Sequence, residues 1–396
     1  MNNLFNQHLK GDRSIWVVAM LLGATSLLAV YSASSWMGWQ HTGGTFRILV
    51  KHALMLAAGG FIMYAASRIR YTAYSKLAQL GLSVTILLLG LTLLIGTNVN
   101  GASRWLAIPG VGITFQTSDL ARVVIVLYLA RVLGRTREEP WTFREVIIKL
   151  MLPLGAICGL ILPANFSTAA LLFATCLLLM YIARVPVRHL LGVVGMAVGA
   201  GMLLLLLSKA NPELLPRLNT WQSRLTHHGG DDREANYQVN NAKIAIVHGG
   251  LLPNGPGTGT SRNYMPHPES DMIYAFIIEE YGSILGGTGL MLLYLILFSR
   301  ATKLANRCEK PFGSLAAMGL ALSLVLQALV NMAVGVNLVP VTGQPLPLVS
   351  MGGTSMWFTC LSLGIMLSIS RSVYDTANGT EGAARNLNGQ RHAAAA

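Results

Sequence analysis

The sequence predicts an all-α polytopic membrane protein with ten transmembrane helices and a large extracytoplasmic loop between helices 7 and 8. Three observations predict it. Of 396 residues, 53% are apolar and only 11% are charged, and the mean hydropathy is +0.53. The apolar residues fall in unbroken blocks of about twenty, the length that crosses a bilayer, and not at amphipathic spacing. Basic residues gather in alternate links between the blocks, the pattern of the positive-inside rule.

The first block follows Lys10 and Arg13 and covers about residues 14–34. It is too long for a signal-peptide core and reads as an uncleaved first span. Further blocks lie near 50–67, 77–97, 116–136, 146–163, 166–184, 188–207, 271–299, 313–336 and 350–371. The break at 163–166 is short enough to leave a single bent helix open as an alternative. Lys10 and Arg13, then Arg68, Arg70 and Lys76, then Arg131, Arg135, Arg137 and Arg144 occupy alternate links. Arg184 and Arg188, then Arg300, Lys303, Arg307 and Lys310, and finally Arg371 continue the alternation. Those links and both termini are therefore expected in the cytoplasm, with the protein multi-pass in the cytoplasmic (inner) membrane. The opposite links are poor in charge: 164–165 and 337–349 have none, and 98–115 has only Arg104.

Residues 1–375 read as one transmembrane domain, and 376–396 as a disordered cytoplasmic tail without packing periodicity. The long link 208–270 far exceeds the usual connection. Its stretch "ANYQVNNAKIAIVHGG" carries Tyr237, Val239, Ile244, Ala245 and Val247 among polar residues, which suits a short helix at the membrane interface.

A net charge of +13 would suggest nucleic acid in a soluble chain, but in these links it reports topology, so no nucleic-acid partner is expected. Cys158, Cys176 and Cys360 lie in apolar runs and Cys308 in a basic link. That arrangement offers neither a disulfide framework nor metal-ligand spacing.

Charged groups inside spans are the next signal, since one at the bilayer centre costs roughly 2.5–3.5 kcal/mol on insertion scales. Asp119 and Arg122, three residues apart, share a helix face and can pair. The pair is either a packing element or the wall of a polar cavity. In "PESDMIYAFIIEEYG", Glu279 and Glu280 stand roughly 12 Å along the axis from Asp271, which argues against two carboxylates acting on one bond. Both glutamates read as structural. Asp271 is either a helix-start residue, with Ser270 as N-cap, or a functional carboxylate at the mouth of its span. Before it, "VHGGLLPNGPGTGTSRNYMPHP" is rich in Gly and Pro, as is "NLVPVTGQPLPLVSMGGTS" between the last two spans. Such stretches can present N–H groups to a phosphate or form turns with no ligand. No Gly-Lys-Ser/Thr follows, so neither is a P-loop.

The motifs "NGASRWL" at 100–106, "FQTSDLAR" at 115–122, "LPANFSTAALLF" at 162–173, "YQVNNAKIAIVHGG" at 237–250, "PESDMIYAFIIEEYG" at 268–282 and "PVTGQPLPLVSMGGTS" at 340–355 occur in the order of one family. Together they make the chain resemble the FtsW/RodA/SpoVE family, the SEDS proteins, from the first span to the last. "ILPANFSTA" and "IIEEYG" are closer to its cell-division members than to its elongation members. The resemblance implies a peptidoglycan glycosyltransferase polymerising lipid II (undecaprenyl-diphosphate disaccharide-peptide) at the outer face of the cytoplasmic membrane. It implies a class B penicillin-binding protein as partner, with other division proteins and membrane lipid.

The family's essential aspartate falls on Asp271, whose implied role is general base. Its acidic and basic cavity pair falls on Asp119 and Arg122, each keeping the charge with a different reach. Lys51 matches a basic position that lines the same cavity in the family and could compensate a diphosphate. Arg217, Arg224, Lys243 and Arg262 are weaker candidates from the loop. Two departures stand out: Asn165 replaces a frequent acidic residue, and Leu252, Pro253 and Asn254 interrupt the glycine motif. No cofactor is required by the sequence. A divalent cation (Mg or Mn) could share the diphosphate charge, although no ligand cluster demands one. Two other readings compete with polymerisation, a lipid II flippase or transporter and a non-catalytic scaffold for the partner. The elongation role remains an alternative to the division role.

Overall fold

A computed structural model of the chain describes residues 11–40, 44–99, 102–107, 114–135, 140–210, 237–264 and 271–394. Its first three helices are α1 (Arg13–Gln40), α2 (Gly44–Arg68) and α3 (Tyr71–Ile95). A small antiparallel sheet follows, β1 (Thr97–Val99), β2 (Ala102–Ala107) and β3 (Thr114–Gln116), in the order β1-β2-β3. It is the only sheet among the described residues and was not expected. Trp105 pairs with Gln116 and Val99 with Ala102 across it.

The next helix is α4 (Thr117–Arg135), and then comes a stretch that begins as Phe143–Glu145 and widens into a π-helix over Val146–Met151 before α5 (Leu152–Ile161). Pro153 accounts for the widening, because it lacks the N–H that would bond the carbonyl four residues earlier. That carbonyl belongs to Lys149, and the Tyr128 hydroxyl donates to it at 3.2 Å. Helix α6 (Phe166–Ile182) reverses on α5: the Cys158 thiol donates to the Ala169 carbonyl across the pair, at 3.7 Å. The break at 163–166 is thus a hairpin of two helices and not one bent helix. Asn165 starts α6 as its N-cap, accepting from the Thr168 N–H at 3.3 Å. The position where a family acid was missed does structural work.

Helix α7 (Val187–Ala210) leads to α8 (Tyr237–Gly249), the helix expected at the interface. Its small-residue face, Ala242, Ala245 and Gly249, is buried against α9 (Ile273–Tyr281). A Cβ on Gly249 would sit 2.1 Å from the Ile278 carbonyl oxygen. Only glycine allows that backbone approach, so α8 is docked on protein along one side. Tyr237, Ile244 and Val247 stay exposed on the other.

The eighth predicted span is broken. Helix α9 stops at Gly282, which takes a left-handed φ of 72°, and a π-helical turn (Gly282–Gly289) leads into α10 (Leu290–Arg307). The segment 250–257 fills the break. Gly250 and Leu251 carbonyls accept from the Ser283 and Ile284 N–H groups at 3.0 and 3.3 Å, and the Glu280 carbonyl accepts from the Asn254 and Gly255 N–H groups, both at 3.0 Å. The Ser283 and Ile284 N–H groups and the Glu280 carbonyl at the break thus find protein partners, the condition for irregular backbone inside an apolar stretch.

Helices α11 (Pro311–Gly335) and α12 (Ser355–Ala394) complete the chain. Helix α11 is central: 72% of its apolar stretch is buried, and Gly319 admits Val126 of α4 and Leu179 of α6. Helix α12 packs tightly on α2, with Gly364 against the Met63 carbonyl. Beyond Asp375, where a disordered tail is expected, α12 continues to Ala394 through a proline-free stretch with five alanines among three glycines and three asparagines. Among the described residues, six helices are long and apolar enough to cross a membrane, and Phe166–Ile182 and Val187–Leu203 are shorter apolar helices.

Candidate active site

Asp271 lies in a turn just before α9, whose N-cap is Met272. Asp271 thus stands one residue before the helix cap, and not in the first turn. The Asp271 carbonyl accepts from Asn331 Nδ2 of α11 at 3.0 Å, and the first turn closes on the Met272 carbonyl instead. Ser270 lies outside the described residues. The carboxylate rests over Gly343, at which a Cβ would lie 3.7 Å from Asp271 Oδ2. With a φ of +64° there, the link between α11 and α12 can pass close beneath it.

Asp119 and Arg122 do pair, at 3.9 Å, and both are buried. The guanidinium also donates to Gln327 Oε1 and, at 3.1 Å, to Gln344 Oε1. Gln327 Nε2 donates to the Pro345 carbonyl at 2.8 Å, and Gln344 Nε2 to the Thr168 hydroxyl. Asn331 Nδ2 reaches the Gln344 carbonyl at 2.7 Å as well as Asp271. One polar chain thus runs from the ion pair through Gln344 and Asn331 to the Asp271 backbone. Sequence reasoning missed Gln327, Asn331 and Gln344. Two amides four residues apart in an apolar span were the available signal, because uncharged polar groups also need partners in lipid.

The ion pair lines a small, partly open pocket with Ser323, Gln327, Ser355, Thr359 and Ser362. Neither Asp271 nor Lys51 lines it. Lys51 is exposed on α2, while its neighbour His52 turns inward to Ser26 at 2.8 Å. Lys51 does not line this pocket: helical spacing sends adjacent side chains in different directions, and His52 occupies the inward one. Lys243 is exposed on α8. Arg262 belongs to a short 3-10 turn, Ser261–Asn263, and Arg217 and Arg224 lie outside the described residues.

The Gly-rich segment does bind carboxylates, but they are the protein's own. Glu279 Oε1 accepts from the Thr260 N–H at 3.0 Å, the Ser261 N–H at 3.2 Å and the Ser261 hydroxyl at 2.9 Å. His248 Nδ1 lies 3.9 Å from it. Glu280 Oε1 accepts from the Gly257 N–H at 2.9 Å and from the Ser32 hydroxyl of α1. Asn254, one of the residues interrupting the glycine motif, clamps the segment by donating to the carbonyls of His248 at 3.1 Å and Glu279 at 3.2 Å. These N–H groups are therefore not free to cradle a ligand phosphate. Glu279→Ala is expected to destabilise the protein by on the order of 3 kcal/mol, since it strands the buried Ser261 N–H and hydroxyl and the half-buried Thr260 N–H. Faster proteolysis between residues 250 and 261 would report it.

The fold and site define a polytopic helical membrane protein with a carboxylate seated over Gly343 and a buried polar chain that ends on its backbone. Residues 12–375 match the model of the FtsW/RodA/SpoVE family, described as "Cell cycle protein". The chain belongs to that family. It is 32% identical over 372 residues to a probable peptidoglycan glycosyltransferase FtsW of Coxiella burnetii, covering 92% of this chain and 96% of that one. It is 27% identical over 374 residues to stage V sporulation protein E of Bacillus subtilis, covering 91% and 97%. Among solved structures, a chain from a study of polymerization and crosslinking by a peptidoglycan synthase complex is 25% identical with a TM-score of 0.71, covering 92% and 98%. The rod shape determining protein RodA of Thermus thermophilus shares the fold at 23% identity and a TM-score of 0.66, covering 92% and 98%.

Proposed function

We propose that this chain is a peptidoglycan glycosyltransferase that polymerises lipid II at the outer face of the cytoplasmic membrane during cell division. The observation that carries the reading is the seat of Asp271: a carboxylate at the head of a broken helix, over bare glycine backbone, in a chain whose relatives include proteins named as this enzyme. In the reaction, the acceptor sugar's 4-hydroxyl attacks the anomeric carbon of the donor. Asp271 takes the hydroxyl proton as the new glycosidic bond forms, and the bond from the anomeric carbon to the diphosphate oxygen breaks. Undecaprenyl diphosphate leaves, and its developing charge needs cations; the exposed Lys51 and Lys243 are candidates, with Arg217, Arg224 and Arg262 from the long link. Among the described residues, no group of three or more His, Cys, Asp or Glu could hold a metal ion. A divalent cation, where one takes part, would share the diphosphate charge.

The topology that goes with this function is ten spans with both termini cytoplasmic, and the partners are a class B penicillin-binding protein, other division proteins and membrane lipid. The broken helix is the one feature that favours a transporter, since discontinuous helices mark many transport sites. Here the freed backbone groups are taken by the 250–257 segment, which leaves none of those bonds for cargo.

The test reconstitutes purified protein and its transpeptidase partner in vesicles with lipid II. Glycan polymer from wild type, lost in Asp271→Asn while partner binding persists, supports the reading. No polymer from wild type under any partner or metal condition sinks it, and a sidedness assay on the same vesicles then tests flipping.

A further inference from the structure

The geometry points to Asn331 as a positioning residue for Asp271, one that sets the place of the reacting carboxylate without touching substrate. This role rests on the reading of Asp271 as the general base. Asn331 is 1% exposed, too deep in α11 for a sugar to reach. An amide nitrogen has two N–H donors. One goes to the Asp271 carbonyl at 3.0 Å and the other to the Gln344 carbonyl at 2.7 Å. The two acceptors belong to the two links that make the seat: one carries Asp271, and the other carries Gly343, over which the carboxylate lies. A single buried amide therefore keeps the carboxylate and the surface beneath it in register.

Packing does not explain the residue. Asn331 Oδ1 is buried with no hydrogen-bond partner among the described residues, which disfavours an amide relative to an apolar side chain of similar volume. Both of its donors, by contrast, are aimed at the seat. Behind it, the Gln344 side chain is gripped by Arg122 and Thr168, so the pin is itself anchored to the buried ion pair.

The experiment measures initial polymerisation rates against lipid II concentration for Asn331→Leu in the complex with its partner. Leucine keeps the branching and the heavy-atom count and removes both donors. The expected result is a fall in kcat of about 10- to 100-fold, the effect of misplacing a catalytic group by about 1 Å. KM should be little changed, and the acidic limb of the kcat–pH profile should be displaced. Asn331→Ser, smaller and too short to reach both carbonyls, is expected to show the same kcat loss and serves should the leucine variant not fold. Wild-type kcat per folded molecule in either variant overturns the role, whatever happens to folded yield. Asp271→Asn run alongside separates the two claims. Full kcat there refutes the assignment of Asp271 and the pin with it; an inactive Asp271→Asn beside fully active Asn331 variants refutes the pin alone.

Discussion

Asp271→Asn is expected to lose polymerising activity by about 10²- to 10⁴-fold, the range by which a positioned general base accelerates a proton transfer. The substitution is informative because it changes shape so little. One tie of Asp271 to the fold is its backbone carbonyl, bonded to Asn331 at 3.0 Å, and asparagine keeps that carbonyl. Helix α9 starts from Met272 without a side-chain cap, so its N-terminus does not depend on the carboxylate. The variant should therefore fold, bind its partner and bind lipid II. Asp271→Glu keeps the charge but carries it one methylene further from Gly343, and should fall between wild type and asparagine. The measurement is the initial rate of glycan formation in proteoliposomes, with capture of the partner as the folding control. A wild-type rate from the asparagine variant would place the base elsewhere.

Much of the frame was legible in the chain, because lipid imposes length and composition on whatever crosses it. Basic residues in alternate links organised the reading, and Asp119 with Arg122 was legible as a pair from spacing alone. The break at Gly282 was not. Gly-Ser in an apolar run is tolerated by a helix, and what opens this one is a pair of carbonyls, on Gly250 and Leu251, more than thirty residues away in sequence. No local rule reports such a partner. The β1–β2 hairpin did leave a signal: Asn100-Gly101 between strands 97–99 and 102–107 is the dipeptide favoured in two-residue hairpin loops. The seat of Asp271 was half legible. The Gly/Pro-rich links marked its neighbourhood, but the phosphate-cradling role those glycines suggested is spent on Glu279 and Glu280. The amides of Gln327, Asn331 and Gln344 went unread because charge was weighed and uncharged polarity was not.

Arg122→Met alone is expected to destabilise the protein by about 3–5 kcal/mol, the effect of leaving one member of a buried ion pair uncompensated. The loss should exceed that of a surface pair because more than the 3.9 Å contact with Asp119 is involved. The guanidinium also holds Gln327 and Gln344, and Asp119 Oδ2 is buried with no hydrogen-bond partner among the described residues. Asp119→Leu combined with Arg122→Met removes both charges, and most of the stability should return, since apolar replacement of a buried pair is often neutral or better. Activity should not return with it. Gln344 would lose its grip from Arg122, and through Asn331 that grip reaches the Asp271 backbone. Arg122→Lys should fold near normally yet polymerise slowly, because an ammonium cannot present the planar fork that spans two glutamines. Thermal melting in detergent and polymerisation rate, measured on the same three preparations, separate these effects. A double variant that is both stable and fully active would confine the ion pair to packing and remove it from the support of the site.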